Sequence, residues 1–208
     1  MSSDSTRPSL LSRLRDGKDD VAWREFEARY RDLILRFCRR RGLQAADAED
    51  VCQLVLLALA RSMRLFRYDP SRGRFRDYLA RVTRNTIHHL LQCPERDLRL
   101  LDSSVLDALT TSLDGEVDPA FEDEWTQHHF RLAMSAVRAR SRPASLAVFE
   151  RLLAGESVST VALDLHMTEE AVHKIKQRIG ERLRQEIEKQ VRDEELLDSS
   201  EGVGEPCS

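Results

Sequence analysis

A chain of 208 residues that is 41% hydrophobic and 33% charged can form one or two cores and has the balance of a soluble helical protein. No run approaches the roughly 18 apolar residues of a membrane span, and "MSSDSTRPSL" lacks a signal-peptide core. Four cysteines (Cys38, Cys52, Cys93, Cys207) without C-x-x-C spacing disfavour a zinc site or a disulfide framework, so a reducing cytoplasm is the expected location.

The net charge of -3 hides strong segregation. Residues 7–92 carry 19 basic and 11 acidic side chains, whereas residues 93–128 carry 2 and 10. Residues 129–184 carry 10 and 6, and residues 185–208 carry 2 and 8. Two basic blocks parted by an acidic stretch predict two polyanion-facing modules, with ordinary charge segregation on helical surfaces as the alternative.

Helical periodicity runs through both blocks. "DDVAWREFEARYRDLILRFCRRRG" places Trp23, Phe26, Tyr30, Leu33, Ile34 and Phe37 along one face, with Gly42 as a stop. "DAEDVCQLVLLALARSMRLF" predicts a helix with Asp47 as N-cap and Val51, Val55, Leu59 and Phe66 as its buried stripe. Leu54 and Ala58 then fall at the edge of that stripe, where a solitary helix keeps charge. "YDPSRGRF" reads as a loop. "RFRDYLARVTRNTIHHLLQ" resumes a helix with Phe75, Leu79, Val82 and Thr86 on one face. His88 and His89 point about 100° apart on it, which argues against a metal site there.

From Cys93 the periodicity fades and acids accumulate, which predicts a linker with at most a short helix around "SSVLDALTTSL". The organisation expected is a first domain over 9–92, an acidic linker over 93–119, a second domain over 120–186 and an acidic, fraying tail over 187–208. Phe121, Trp125, His129 or Phe130, Leu132 and Val137 are expected to line the second core. Gly155 stops a helix that Pro143 restarts, and the last helix is expected to run to about Glu195.

"STVALDLHMTEEAVHKIKQRIGERLR" has the spacing of a helix-turn-helix: small Ala162 faces the partner helix, and Val161, Leu165, Met167, Val172, Ile175 and Ile179 supply a shared core. His166 stands where the turn usually has Gly, and there it must enter the left-handed region. With those positions inward, Thr168, Glu169, Glu170, His173, Lys174 and Gln177 face outward, as a helix entering a major groove requires. Thr168 is also placed as N-cap. Lys176, Arg178, Arg182 and Arg184 lie where phosphates would be met.

Taken together, D-A-E-D-V-x-Q, F-R-Y-D-P-x-R-G-R-F, the R-N helix and the C-terminal helix pair resemble the extracytoplasmic-function (ECF) group of bacterial RNA polymerase sigma factors. The forms most similar are those abundant in planctomycetes, and the resemblance covers roughly Leu10 to Glu186. It implies an all-α fold of two small helical domains, sigma region 2 and sigma region 4, joined by the acidic linker. It assigns Asp47, Glu49, Asp50 and Gln53 to polymerase binding; Leu54 departs from the family, which usually has a charge there, and is added to that surface as an apolar edge that docking would explain. The segment that opens and reads the -10 element corresponds to Phe66, Tyr68, Arg74, Arg76, Tyr78, Arg81, Arg84, Asn85 and His88, aromatics and an amide beside a basic track. Phe75 is expected in the core. Past Asn85, where the family usually adds Arg or Lys, this chain offers only His88 and His89. Thr168, Glu169, Glu170, His173, Lys174, Gln177 and Arg178 are assigned to the -35 element. The linker would thread polymerase channels that otherwise hold nucleic acid; an acidic spacer kept for solubility is the alternative.

The function so implied is binding of core RNA polymerase and promoter-specific initiation, with promoter DNA and an anti-sigma protein as the other partners. No cofactor, metal, membrane or small-molecule substrate is implied, and no paired carboxylates, nucleophile motif or phosphate loop marks an enzyme. Two alternatives belong to other classes: a helix-turn-helix regulator that does not bind polymerase, and a sigma-like adaptor that no longer melts promoters.

Overall fold

The structure, a computed structural model, describes residues 10–15, 19–62, 75–92 and 118–195. Its elements are α1 (Leu10–Arg15), α2 (Asp20–Arg40), α3 (Ala45–Ser62), α4 (Phe75–Gln92), α5 (Pro119–Arg140), α6 (Pro143–Leu153), α7 (Val158–Asp164) and α8 (Glu169–Glu195). No strand occurs among the described residues, so the fold is all-α as expected. None of these helices is long and apolar enough to cross a membrane. The described residues up to Thr126, together with Arg192–Glu195, group as one compact unit and Gln127–Val191 as a second.

In the first unit α2 is set at both ends by its own sequence. The Asp19 carboxylate accepts from the Ala22 amide at 2.8 Å, satisfying one of the amides that a helix start leaves open. At the other end Gly42 takes a φ of +87°, and the Gly42 and Leu43 amides donate back to the Arg39 and Cys38 carbonyls. Only a residue without a Cβ enters that conformation freely, and the paired back-bonds end the helix sharply. Between these caps Phe26, Tyr30, Leu33, Ile34 and Phe37 are all buried, as their spacing predicts. Trp23 is half-buried and packs on the rim of the same cluster.

Helix α3 starts two residues before the expected N-cap. The Ala48 amide donates to the Gln44 carbonyl, so Asp47 lies inside the first turn rather than capping it. The short Gly42–Gln44 connection leads directly into the helix, and Asp47 still sits where the dipole favours an acid. Val51, Val55 and Leu59 are fully buried. Ala58 is buried too, so it belongs to the core and not to an apolar edge. Helix α4 buries Phe75, Tyr78, Leu79, Val82 and Ile87. Its buried threonines satisfy themselves, Thr83 Oγ1 donating to the Leu79 carbonyl and Thr86 Oγ1 to that of Val82, each at 2.8 Å.

The first turns of α5 also belong to this unit. Phe121 and Trp125, expected in a second core, are buried here instead. The Phe121 ring meets Phe37 edge-on at 5.0 Å, and Trp125 stacks over Tyr30 at 6.0 Å. Helical periodicity identified their common face correctly; it carries no information about which neighbour that face meets.

The second unit holds two small clusters. Ala133, Met134, Val137, Phe149, Ile179 and Leu183 form one, with Phe130 packed against it. Val148, Val161, Ala162 and Val172 form the other, with Met167 and Ile175 at its rim. His129 is buried and its Nδ1 lies 2.9 Å from Gln190. Helix α8 is described as far as Glu195, and its expected end there and the expected acidic tail beyond lie at and outside the limit of the described residues.

Candidate nucleic-acid and polymerase interfaces

The last two helices of the second unit are positioned by successive caps. Gly155 ends α6 at a φ of +93°, the Gly155 and Glu156 amides donating to the Leu152 and Arg151 carbonyls. Two residues on, Ser157 Oγ accepts from the Thr160 amide at 3.1 Å and opens α7. Arg151 ties this corner together. Its guanidinium donates to both Glu156 oxygens and, at 2.6 Å, to Asp164 at the end of α7. That hydrogen bond lowers the Glu156 carboxyl below its ordinary range, and the two acids raise the guanidinium.

Helix α7 and helix α8 are separated by four residues, Leu165–Thr168. His166 takes the left-handed conformation, φ 53°, that the missing glycine demanded. The Met167 amide then reaches back to the Ala162 carbonyl at 2.9 Å, and Thr168 Oγ1 accepts from the Ala171 amide at 3.2 Å as the N-cap of α8. One expected core residue departs from the pattern. Leu165 is 38% exposed, because it is the residue that caps α7, where the chain leaves the helical path before Met167 turns inward.

With Val172 and Ile179 fully buried and Ile175 half-buried, the opposite face of α8 is fixed. Thr168, Glu169, Glu170, His173, Lys174, Gln177 and Arg178 are all exposed. Lys174 pairs with Glu170 one turn earlier at 2.6 Å. Arg178 donates to Ser145 on α6 at 3.1 Å, and Arg182 to Ser141 at 3.2 Å. Lys176 and Arg184 are exposed beside them. The arrangement offers hydrogen-bonding side chains of both signs in front and cations to the side.

In the first unit, Phe66, Tyr68 and Arg74 lie outside the described residues, as does Arg72. Tyr78 requires a correction. It is 3% exposed, because it stands three residues after Phe75 and four before Val82 on the inward face of α4. Its ring is core, as Phe75 is, and offers no face to a base. Arg76 is largely covered and engaged, 2.6 Å from Glu122 and 3.5 Å from Asp77. Arg81, Arg84, Asn85 and His88 share the outer side of α4 at helical spacing, with Arg84 and His88 fully on the surface.

Of the residues assigned to polymerase, Asp47 and Gln53 are exposed, and Asp50 and Leu54 are half-buried. Glu49 pairs with Arg31 of α2, which anchors the start of α3 within the unit. The exposed apolar residue beside Leu54 is Leu57, 40% exposed. Sequence reasoning missed it by assigning that place to Ala58. Cys38 and Cys52 are buried free thiols whose pKa values burial pushes up to about 12 and about 11.

Residues 28–95 match the family model of sigma-70 region 2, a span that takes in most of α2 and all of α3 and α4. No curated protein and no solved structure matches the chain. The likeness is to that one region and covers about a third of the chain.

Proposed function

We propose that this chain is a sigma factor of the ECF type, which binds core RNA polymerase and directs it to promoters. The observation that carries the reading is the region 2 match over residues 28–95, a span that includes the candidate polymerase residues of α3 and the exposed side of α4. Asp47, Asp50, Gln53 and Leu54 are proposed to meet polymerase, and Arg81, Arg84, Asn85 and His88 the -10 element. The second unit is proposed to be a region 4 helix-turn-helix whose exposed face from Thr168 to Arg178 enters the major groove of the -35 element. Nucleotide addition belongs to polymerase in this reading. The acidic stretch between the units is proposed to follow a basic channel of the enzyme.

Run-off transcription with core polymerase on a genomic promoter library tests the whole reading. Promoter-dependent transcripts are expected; polymerase binding without transcripts would mark a sigma-like adaptor, and DNA binding without polymerase binding a separate regulator. Within the -35 surface, His173→Ala or Gln177→Ala should relax base preference by about 1–3 kcal/mol per lost contact. Unchanged promoter binding by a Lys174→Ala/Gln177→Ala double variant would remove α8 from the interface.

A further inference from the structure

The first unit carries three arginines that already hold a row of anions. Arg41 pairs with Asp118, Arg40 lies 3.3 Å from Asp123 and 3.8 Å from Glu124, and Arg76 lies 2.6 Å from Glu122. The arginines come from the end of α2 and the start of α4; all four acids lie in the seven residues Asp118–Glu124. Asp118 also caps α5, accepting from the Ala120 amide at 3.1 Å. Phe121 and Trp125, buried beneath, fix the segment in register.

We propose that Arg40 and Arg76 form a binding site for the phosphates of a single DNA strand, and that Glu122 and Asp123 fill this site in cis. The proposal rests on reading the first unit as a DNA-binding one. A guanidinium fork accepts carboxylate and phosphate oxygens with the same geometry, so a side chain that reaches Glu122 or Asp123 also reaches a phosphate there. Two of the pairs can exchange: Arg40 and Asp123 keep 41% and 70% of their side chains exposed, and Glu122 beside Arg76 keeps 36%. Asp118 and Glu124 are almost fully covered and stay docked with the aromatic rings. The exposed Arg40–Asp123 pair is of the kind that is weak and screened by salt. Arg40 and Arg76 can therefore turn from Asp123 and Glu122 to phosphate while Asp118, Phe121 and Trp125 stay in place. The acidic segment thus lowers the affinity of the free chain for stray DNA, and a strand held in place by polymerase outcompetes it.

The test uses the full chain and a fluorescein-labelled dT20 oligonucleotide, with affinity read by anisotropy across a salt series. E122Q/D123N should bind about tenfold more tightly at low salt, and its salt dependence should steepen by about 1.4, equivalent to two added phosphate contacts. Its melting temperature should stay within a few degrees of wild type. D123N alone, at the most exposed of the four acids, should give part of the gain. Adding R40Q/R76Q to E122Q/D123N should abolish it. Wild-type affinity in both acid variants overturns the site, and so does a gain that survives loss of the arginines, since net charge alone would then explain it. Run-off transcription by the wild-type chain is measured in parallel and decides the sigma reading separately. Transcription without a gain in the titration sinks only the cis-filled site. Without transcription the sigma reading falls, and the titration still decides the site.

Discussion

His166 is the residue whose conformation costs most locally. An L-residue in the left-handed region loses on the order of 1 kcal/mol, and glycine loses none of it sterically. His166→Gly should therefore stabilise the second unit by about 0.5–1 kcal/mol, and His166→Val should destabilise it by at least as much, both read by chemical denaturation. Glu156 makes a separate, pH-dependent contribution. Its folded-state carboxyl is lowered by the hydrogen bond from Arg151, so the pair stabilises fully above the ordinary glutamate value and loses that effect as pH falls through the lowered value. Glu156→Gln should melt below wild type near neutrality and converge with it only as acid takes the pH through the lowered value. Cys38 and Cys52 should resist alkylation at pH 8 until the chain is denatured, as peptide mass spectrometry would show. Periodicity read most single positions correctly but failed at edges. Ala58 and Leu165 each lie where a stripe ends, and there the neighbouring element decides between core and surface; Tyr78 lies within the inward face of α4 and was assigned outward by the family resemblance, not by periodicity.

The helices themselves were legible because their signals are local. Gly42, Gly155, Pro143 and Thr168 act through backbone conformation and caps within a few residues of themselves, and all four stand where the sequence placed them. Asp47 was misread because a first-turn acid and an N-cap acid look alike in sequence and differ by a hydrogen bond. At this scale α3 yields the sharpest test. Leu54 is half-buried and Leu57 40% exposed, so the apolar edge is smaller than periodicity suggested and shifted towards Leu57. Leu57→Glu should leave helical content and melting close to wild type, yet weaken binding to core polymerase in a pull-down or titration. Normal binding would place the interface elsewhere. Leu54→Glu should weaken the same binding with some loss of stability, since part of its side chain is already covered.

At the scale of the molecule, charge and packing draw different boundaries. The acidic stretch that reads as a spacer ends inside the first compact unit, because Phe121 and Trp125 bury there while their acidic neighbours pair with Arg40, Arg41 and Arg76. No sequence pattern links α2 to a segment some eighty residues later; only the packed fold does. A fragment ending at Gln92 should consequently be markedly less stable than one ending at Thr126. Phe121→Ala in the full chain should cost about 3–5 kcal/mol, in the range of buried aromatic deletions. Equal stability of the two fragments in urea would show that the first three long helices suffice without the aromatic pair.

The placement of Trp125 has a spectroscopic corollary. The chain has two tryptophans, Trp23 and Trp125, and both lie in the first unit, Trp23 edge-on to Phe26 and Trp125 stacked on Tyr30 and Phe121. Indole emission excited near the red edge of absorption is therefore blind to the unfolding of Gln127–Val191, whereas far-ultraviolet dichroism sees every helix. Heating followed by both signals separates the melting of the two units without any label. A Trp23→Phe variant leaves Trp125 as the sole emitter, and its red shift would time the departure of α5's first turns from Tyr30.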